Sequence, residues 1–135
     1  MSRYVSDNLR KQVAVRAKFR CEYCRLYESD GFIKFQIEHI ISLKHGGLST
    51  LENLAYACPI CNSNKGSDLA TILENGRIVR IFHPRKDNWF KHFTVQSGEI
   101  IPRTNVASAT IKLLELNTIN RILERIDLVE VGLFP

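Results

Sequence analysis

The chain has 135 residues, 44% of them hydrophobic, and carries a formal net charge of +5. That length suits one globular domain; no low-complexity tract argues for disorder, and no apolar run approaches the roughly 18 residues a membrane span needs. The opening run MSRYVSDNLRKQ has no apolar signal core, so the sequence reads as a soluble, cytoplasmic protein with reduced thiols and no membrane partner.

The positive charge is unevenly spread. Arg3, Arg10, Lys11, Arg16, Lys18 and Arg20 crowd the first segment, and Arg77, Arg80, Arg85, Lys86, Lys91 and Arg103 form a second basic stretch. Two basic segments thus flank the middle of the chain, which favours a polyanionic partner.

Ser6 caps a helix predicted over Asp7 to Phe19, in which Leu9, Val13 and Ala17 recur every fourth residue. Cys21-Glu22-Tyr23-Cys24 makes a first CxxC hook, Ser29-Asp30-Gly31 a turn, and Phe32 to Ile40 a strand. Lys44-His45-Gly46-Gly47 reads as a loop that continues through Leu54, with Ala55 to Ala57 as a short return strand. The second hook, Cys58-Pro59-Ile60-Cys61, opens a helix through Lys65, since proline suits a first helical turn, and Gly66 ends it. Ile78 to Phe82 and Phe93 to Ile101 read as strands, the latter with a Ser97-Gly98 turn. Asn105 to about Ile126 reads as one helix with a stripe of Ile111, Leu114, Ile119, Ile122 and Ile126.

All four cysteines stand at CxxC spacing, which under reducing conditions points to metal ligation before disulfides. Cys21, Cys24, Cys58 and Cys61 would complete a closed, tetrahedral, structural zinc site. The insert between the hooks is longer than the roughly 15–20 residues of a short zinc ribbon. It contains Glu38-His39 and Asn53, and Asn62 follows the last cysteine directly. Strand, loop, strand and helix start would gather these around one centre. Glu38 and Asn62 offer oxygens, which suits Mg²⁺ or Mn²⁺, and His39 offers a base titrating near neutrality. Adjacent strand residues point to opposite faces, so Glu38 and His39 share a site only at a strand end or a distortion.

The run CEYC…IEHIISLKHGG…LENL…CPICNSNKG, from Arg20 to about Ser67, resembles the HNH nuclease motif in its zinc-bearing, four-cysteine form. His39 matches the family's first His, Asn53 its middle Asn, and Asn62 its final His-or-Asn, an H-N-N variant. Glu38 stands where Asp is frequent, one methylene longer. The resemblance implies a ββα-metal core and an endonuclease that hydrolyses phosphodiester bonds in DNA. It implies His39 as general base, one divalent metal held by Glu38 and Asn62, and Asn53 as the residue that fixes the loop. A catalytically inactive zinc-bound DNA-binding module is the alternative, and a zinc-stabilised interaction protein a third reading.

Lys65, Arg85 and Lys86 are candidate nucleic-acid contacts. His45 reads as a solvated loop residue. His83, Asp87, Trp89 and His92, in FHPRKDNWFKHF, lack tight ligand spacing and read as an aromatic-rich turn packed on the core. The expected architecture is α+β: an N-terminal helix, a zinc-tied ββα core at 20–67, and an extension at 68–135 with a small β element and a C-terminal helix. All of it would form one domain over 1–135.

Overall fold

A computed structural model describes residues 4–29 and 33–135. Arg3, the Asp30-Gly31 turn and Phe32 at the head of the expected strand lie outside the described residues. Helix α1 spans Asp7–Arg16, and Ser6 caps it by accepting from the Leu9 amide at 3.2 Å. It stops before Phe19 because Lys18 and Phe19 take left-handed backbone angles. The Phe19 amide donates back to the Ala14 carbonyl, a six-to-one closure that ends a helix and turns the chain. That turn delivers Cys21 to the first hook.

Strands β1 (Gln36–His39) and β2 (Leu54–Ala57) pair antiparallel, with Glu38 opposite Ala55 and His39 opposite Leu54. β1 is shorter than the 32–40 stretch because the Phe35 amide leaves the ladder for the Glu28 carboxylate, at 2.6 Å. β2 is buried along its whole length. Helix α2 (Pro59–Lys65) follows at once, with Pro59 in its first turn and the Cys58 sulfur as its cap. The result is a ββα unit with α1 packed against β2. Arg16 fixes that packing by donating to the carbonyls of Leu51, at 2.8 Å, and Leu54, at 2.5 Å.

The extension holds more elements than its sequence suggested. Strands β3 (Ala70–Ile72) and β4 (Ile78–Arg80) form one hairpin. A four-residue helix α3 (Trp89–His92) leads into a second, β5 (Phe93–Gln96) and β6 (Glu99–Pro102), turning at Ser97-Gly98. The predicted long C-terminal helix is two helices, α4 (Asn105–Leu114) and α5 (Ile119–Glu130). Glu115 sits in the left-handed region, and the Leu116 amide closes six-to-one on the Ile111 carbonyl. The break buries Leu116 and lets the Asn117 amide bracket Ile100 through both its N–H and its carbonyl. No periodicity announces such a break, because tertiary contacts rather than a Gly or Pro impose it.

FHPRKDNWFKHF packs as the aromatic-rich turn expected. Trp89 is buried, stacks on Phe93 with ring centroids 4.8 Å apart, and donates its indole N–H to the Tyr23 carbonyl at 2.8 Å. A buried aromatic pair of this kind contributes about 0.5–1.5 kcal/mol beyond its area. Here it also joins the extension to the first cysteine hook. Among the described residues no helix is long and apolar enough to cross a membrane.

Candidate metal centre and active site

The two CxxC hooks meet in the interior. The ligand atoms of Cys21, Cys24, Cys58 and Cys61 all lie within 4.8 Å of one another, and all four residues are buried. The sulfurs of Cys24 and Cys58 are 3.8 Å apart. That matches the roughly 3.8 Å edge of a tetrahedron whose metal–sulfur bonds are about 2.3 Å. In each hook the second cysteine's amide donates to the first cysteine's sulfur, Cys24 to Cys21 at 3.5 Å and Cys61 to Cys58 at 3.4 Å. Such bonds favour thiolates. Burial pushes the Cys21 thiol up, whereas hydrogen bonds from the other three cysteines pull Cys58 down. The donor set, spacing and burial therefore fit one tetrahedral thiophilic ion.

A second site opens at the end of β1. Ile37, Glu38, His39, Ser42, Leu43, Lys44, Asn62, Gly66 and Ser67 line an open depression of about 420 Å³. His39 is the last residue of β1. That position resolves the facing problem, since the ladder ends there and both members of the Glu38-His39 pair border the same depression. Asn62 stands within α2, whose cap is Cys58, so capping is not its task.

Glu38 is nearly closed to solvent, 4% exposed, beside the 1% exposed Lys65. The Lys65 ammonium lies 2.5 Å from Glu38 Oε1 and donates to the Ile40 carbonyl at 2.9 Å. Tyr23 donates its hydroxyl to Glu38 Oε2 at 2.6 Å. Burial raises the Glu38 pKa, opposed by Lys65 and by the Tyr23 hydrogen bond. Burial, with Glu38 nearby, also raises the Tyr23 hydroxyl well above its usual value, so it stays a donor. Despite the short ion pair, Oε1 makes no well-aligned hydrogen bond. Both Glu38 oxygens thus face partners, and the residue borders the depression that Asn62 also lines.

His39 Nε2 is 2.9 Å from the Ser49 hydroxyl. Burial, then the charge of Lys65, lowers its pKa, which keeps the ring neutral near pH 7. Asn53 ties the loop shut. Its Oδ1 accepts from the Ile41 amide at 2.9 Å, and its Nδ2 donates to the carbonyls of Ile41 and Leu48, each at 2.8 Å. Gly47 permits this closure, because a Cβ there would overlap the Ile41 carbonyl oxygen.

Residues 21–68 match the family model described as HNH endonuclease. This segment is an HNH domain. Its clustered cysteines are consistent with the zinc-binding form of that family. No curated protein and no solved structure matches the chain.

Around the HNH segment the basic residues divide. Lys65 is a buried counter-ion of Glu38, not an exposed phosphate contact, because the apolar interior of the ββα unit encloses its stem. Arg85 pairs with Glu22, 17% exposed, which leaves little of it for a ligand. Lys86 is exposed, and so is Lys44 at the rim of the depression. Among the described residues, no second cluster of three or more His, Cys, Asp and Glu converges, so His83, Asp87 and His92 hold no metal centre of that kind. Asp87 instead accepts from Arg80 and from the His83 amide. Sequence reasoning missed Tyr23, which holds Glu38, and Ser49, which meets His39. It also missed Arg121, which donates to the Cys61 sulfur and whose one signal is that it stands four residues before Arg125 on one helix face.

Proposed function

We propose that the chain is a metal-dependent endonuclease that hydrolyses phosphodiester bonds in DNA, with a structural zinc in its four-cysteine centre. The observation that carries this reading is that Glu38, His39 and Asn62 line one open depression. His39, neutral near pH 7, accepts a proton from the attacking water, and Ser49 orients its ring. Attack in line expels the 3′ oxygen. Glu38 and Asn62 are the residues to hold Mg²⁺ or Mn²⁺, which when bound would stabilise the charge on the transferring phosphoryl group. Asn53 keeps the loop between β1 and β2 in place. Zinc at Cys21, Cys24, Cys58 and Cys61 ties the two ends of the HNH segment together. Lys86 and Lys44 are the exposed cations proposed to meet the DNA backbone.

The second reading is a zinc-bound DNA-binding module that does not cut. It is favoured by one feature: both Glu38 oxygens already face partners, Lys65 and Tyr23. Supercoiled plasmid incubated with the protein and Mg²⁺, Mn²⁺ or EDTA, beside His39→Ala, separates the two. Metal-dependent nicking that the mutant loses while keeping its zinc supports the nuclease. Equal DNA binding by both proteins, with no cutting under any metal, supports the module.

A further inference from the structure

Helix α5 turns its charge inward. Its buried residues are Arg121 and Arg125, 6% and 3% exposed, while Ile119 and Leu123 stand 72% and 54% exposed. Burying a guanidinium is costly unless something offsets its charge. Among the described residues, neither arginine makes a salt bridge with a carboxylate. Arg121 instead donates to the Cys61 sulfur at 3.1 Å and lies 3.9 Å from that of Cys58. Its other terminal nitrogen donates to the carbonyls of Leu114, at 2.9 Å, and Glu115, at 3.3 Å. Behind it, Arg125 donates to the carbonyls of Gly98 and Leu116, each at 2.6 Å, and to Asn117.

We propose that Arg121, backed by Arg125, is the counter-charge of the loaded cysteine centre, and that this attraction docks α5 as a lid over it. The inference rests on the zinc reading above. Four thiolates around a divalent ion leave two negative charges, and the two buried guanidiniums carry two positive ones. With the ion gone and the sulfurs neutral, Arg121 would keep its two carbonyl acceptors but lose the anion that offsets its buried charge. The backbone of α4 approaches α2, β3, β4 and β6 closely, whereas α5 is held mainly through side chains: Arg121, Arg125 and the Ile122–Ile126 face against Gly98. The lid also lies on a route to the metal. Cys58, Pro59, Ile60, Arg121 and Leu128 line a groove of about 250 Å³ that α5 helps to close. The extension after residue 68 therefore has a task, retention of the ion.

The test uses the full, zinc-loaded chain, with zinc content measured first. Zinc release to a colorimetric chelator is followed for wild type, Arg121→Met and Arg121→Lys. Hydrogen exchange is followed at 119–130 and at 54–57 as the wild type is stripped. The expected result is release roughly tenfold or more faster from Arg121→Met, the scale of an outer partner's loss, with Arg121→Lys between. In the wild type, 119–130 should lose protection before 54–57. Release from Arg121→Met at the wild-type rate would overturn the proposal. So would 119–130 that stays protected, or that opens only together with 54–57. If Arg121→Met does not fold, the wild-type exchange order decides alone. Zinc bound but released unchanged sinks this inference only; cysteines that hold no zinc sink it and the zinc reading together.

Discussion

The Lys65 ammonium and Glu38 Oε1 lie 2.5 Å apart inside the ββα unit, each almost closed to solvent. This ion pair joins the last turn of α2 to the end of β1, the two elements that carry Asn62 and His39. A buried pair of this kind often adds little net stability, yet removing one partner alone strands a charge. Its value here is positional.

The pair can be separated from the fold by a double-mutant cycle. Lys65→Met alone should cost about 3 kcal/mol, because Glu38 keeps only Tyr23. Glu38→Gln alone should be comparably costly, since Lys65 then lacks its anion. Glu38→Gln with Lys65→Met should be milder than either. The Gln amide oxygen still accepts from Tyr23, and its N–H₂ can take over the freed Ile40 carbonyl. Urea unfolding measures all three; strictly additive losses would refute the coupling.

His39 sets the expected pH dependence. Its pKa is lowered by burial and then by Lys65, so the neutral, proton-accepting form persists to lower pH than in a free histidine. Cleavage should rise with pH through a midpoint below about 6.5, the ordinary histidine value. Removing Lys65 should move that midpoint upward, since only the burial contribution remains. NMR titration of the His39 ring reads this without any cleavage, and a midpoint at or above the ordinary value would count against a poised base.

Much of the site was legible because spacing encodes it. CxxC pairs announce their own convergence, and Glu38, His39, Asn53 and Asn62 are matched by order along the chain. Lys65 was seen as a cation but given the wrong task, because sequence carries no record of which face of α2 is buried. Tyr23 was hidden inside a motif read only for its cysteines. The break at Glu115 was invisible for another reason. Ile111 and Leu114 continue in period into Ile119 and Ile122, yet the structure buries Arg121 and Arg125 where the stripe predicts apolar contact. Hydrogen bonds from the two guanidiniums to sulfur and carbonyl acceptors won over periodicity there.

Asn53 acts through the loop. Asn53→Ala removes three hydrogen bonds, one accepted and two donated. At about 1 kcal/mol each, the expected loss is roughly 2–3 kcal/mol. Asn53→Asp keeps the acceptor and loses the two donors, so it should fall between wild type and Ala. Cleavage should drop through kcat more than KM, because loop position governs the base and not DNA affinity. An Ala variant with wild-type stability would remove Asn53 from this role.

The neighbouring glycines offer a sharper comparison, since they differ in reason and not in chemistry. Gly46 has φ of 89°, but a Cβ there meets nothing within 4 Å. Gly46→Ala should therefore cost only left-handed strain, about 1 kcal/mol, and leave cleavage nearly intact. Gly47 is crowded instead: an added Cβ would overlap the Ile41 carbonyl and sit 2.7 Å from Asn53 Nδ2. Neither partner can yield without opening the Asn53 clamp. Gly47→Ala should cost about 2–3 kcal/mol, as overpacking does, and shift the loop that carries Ser49. Because Ser49 holds the His39 ring, that shift should reach the base, seen as a moved His39 ring resonance and slower cleavage. Equal effects of the two alanines on cleavage would mean that loop closure and base position are independent.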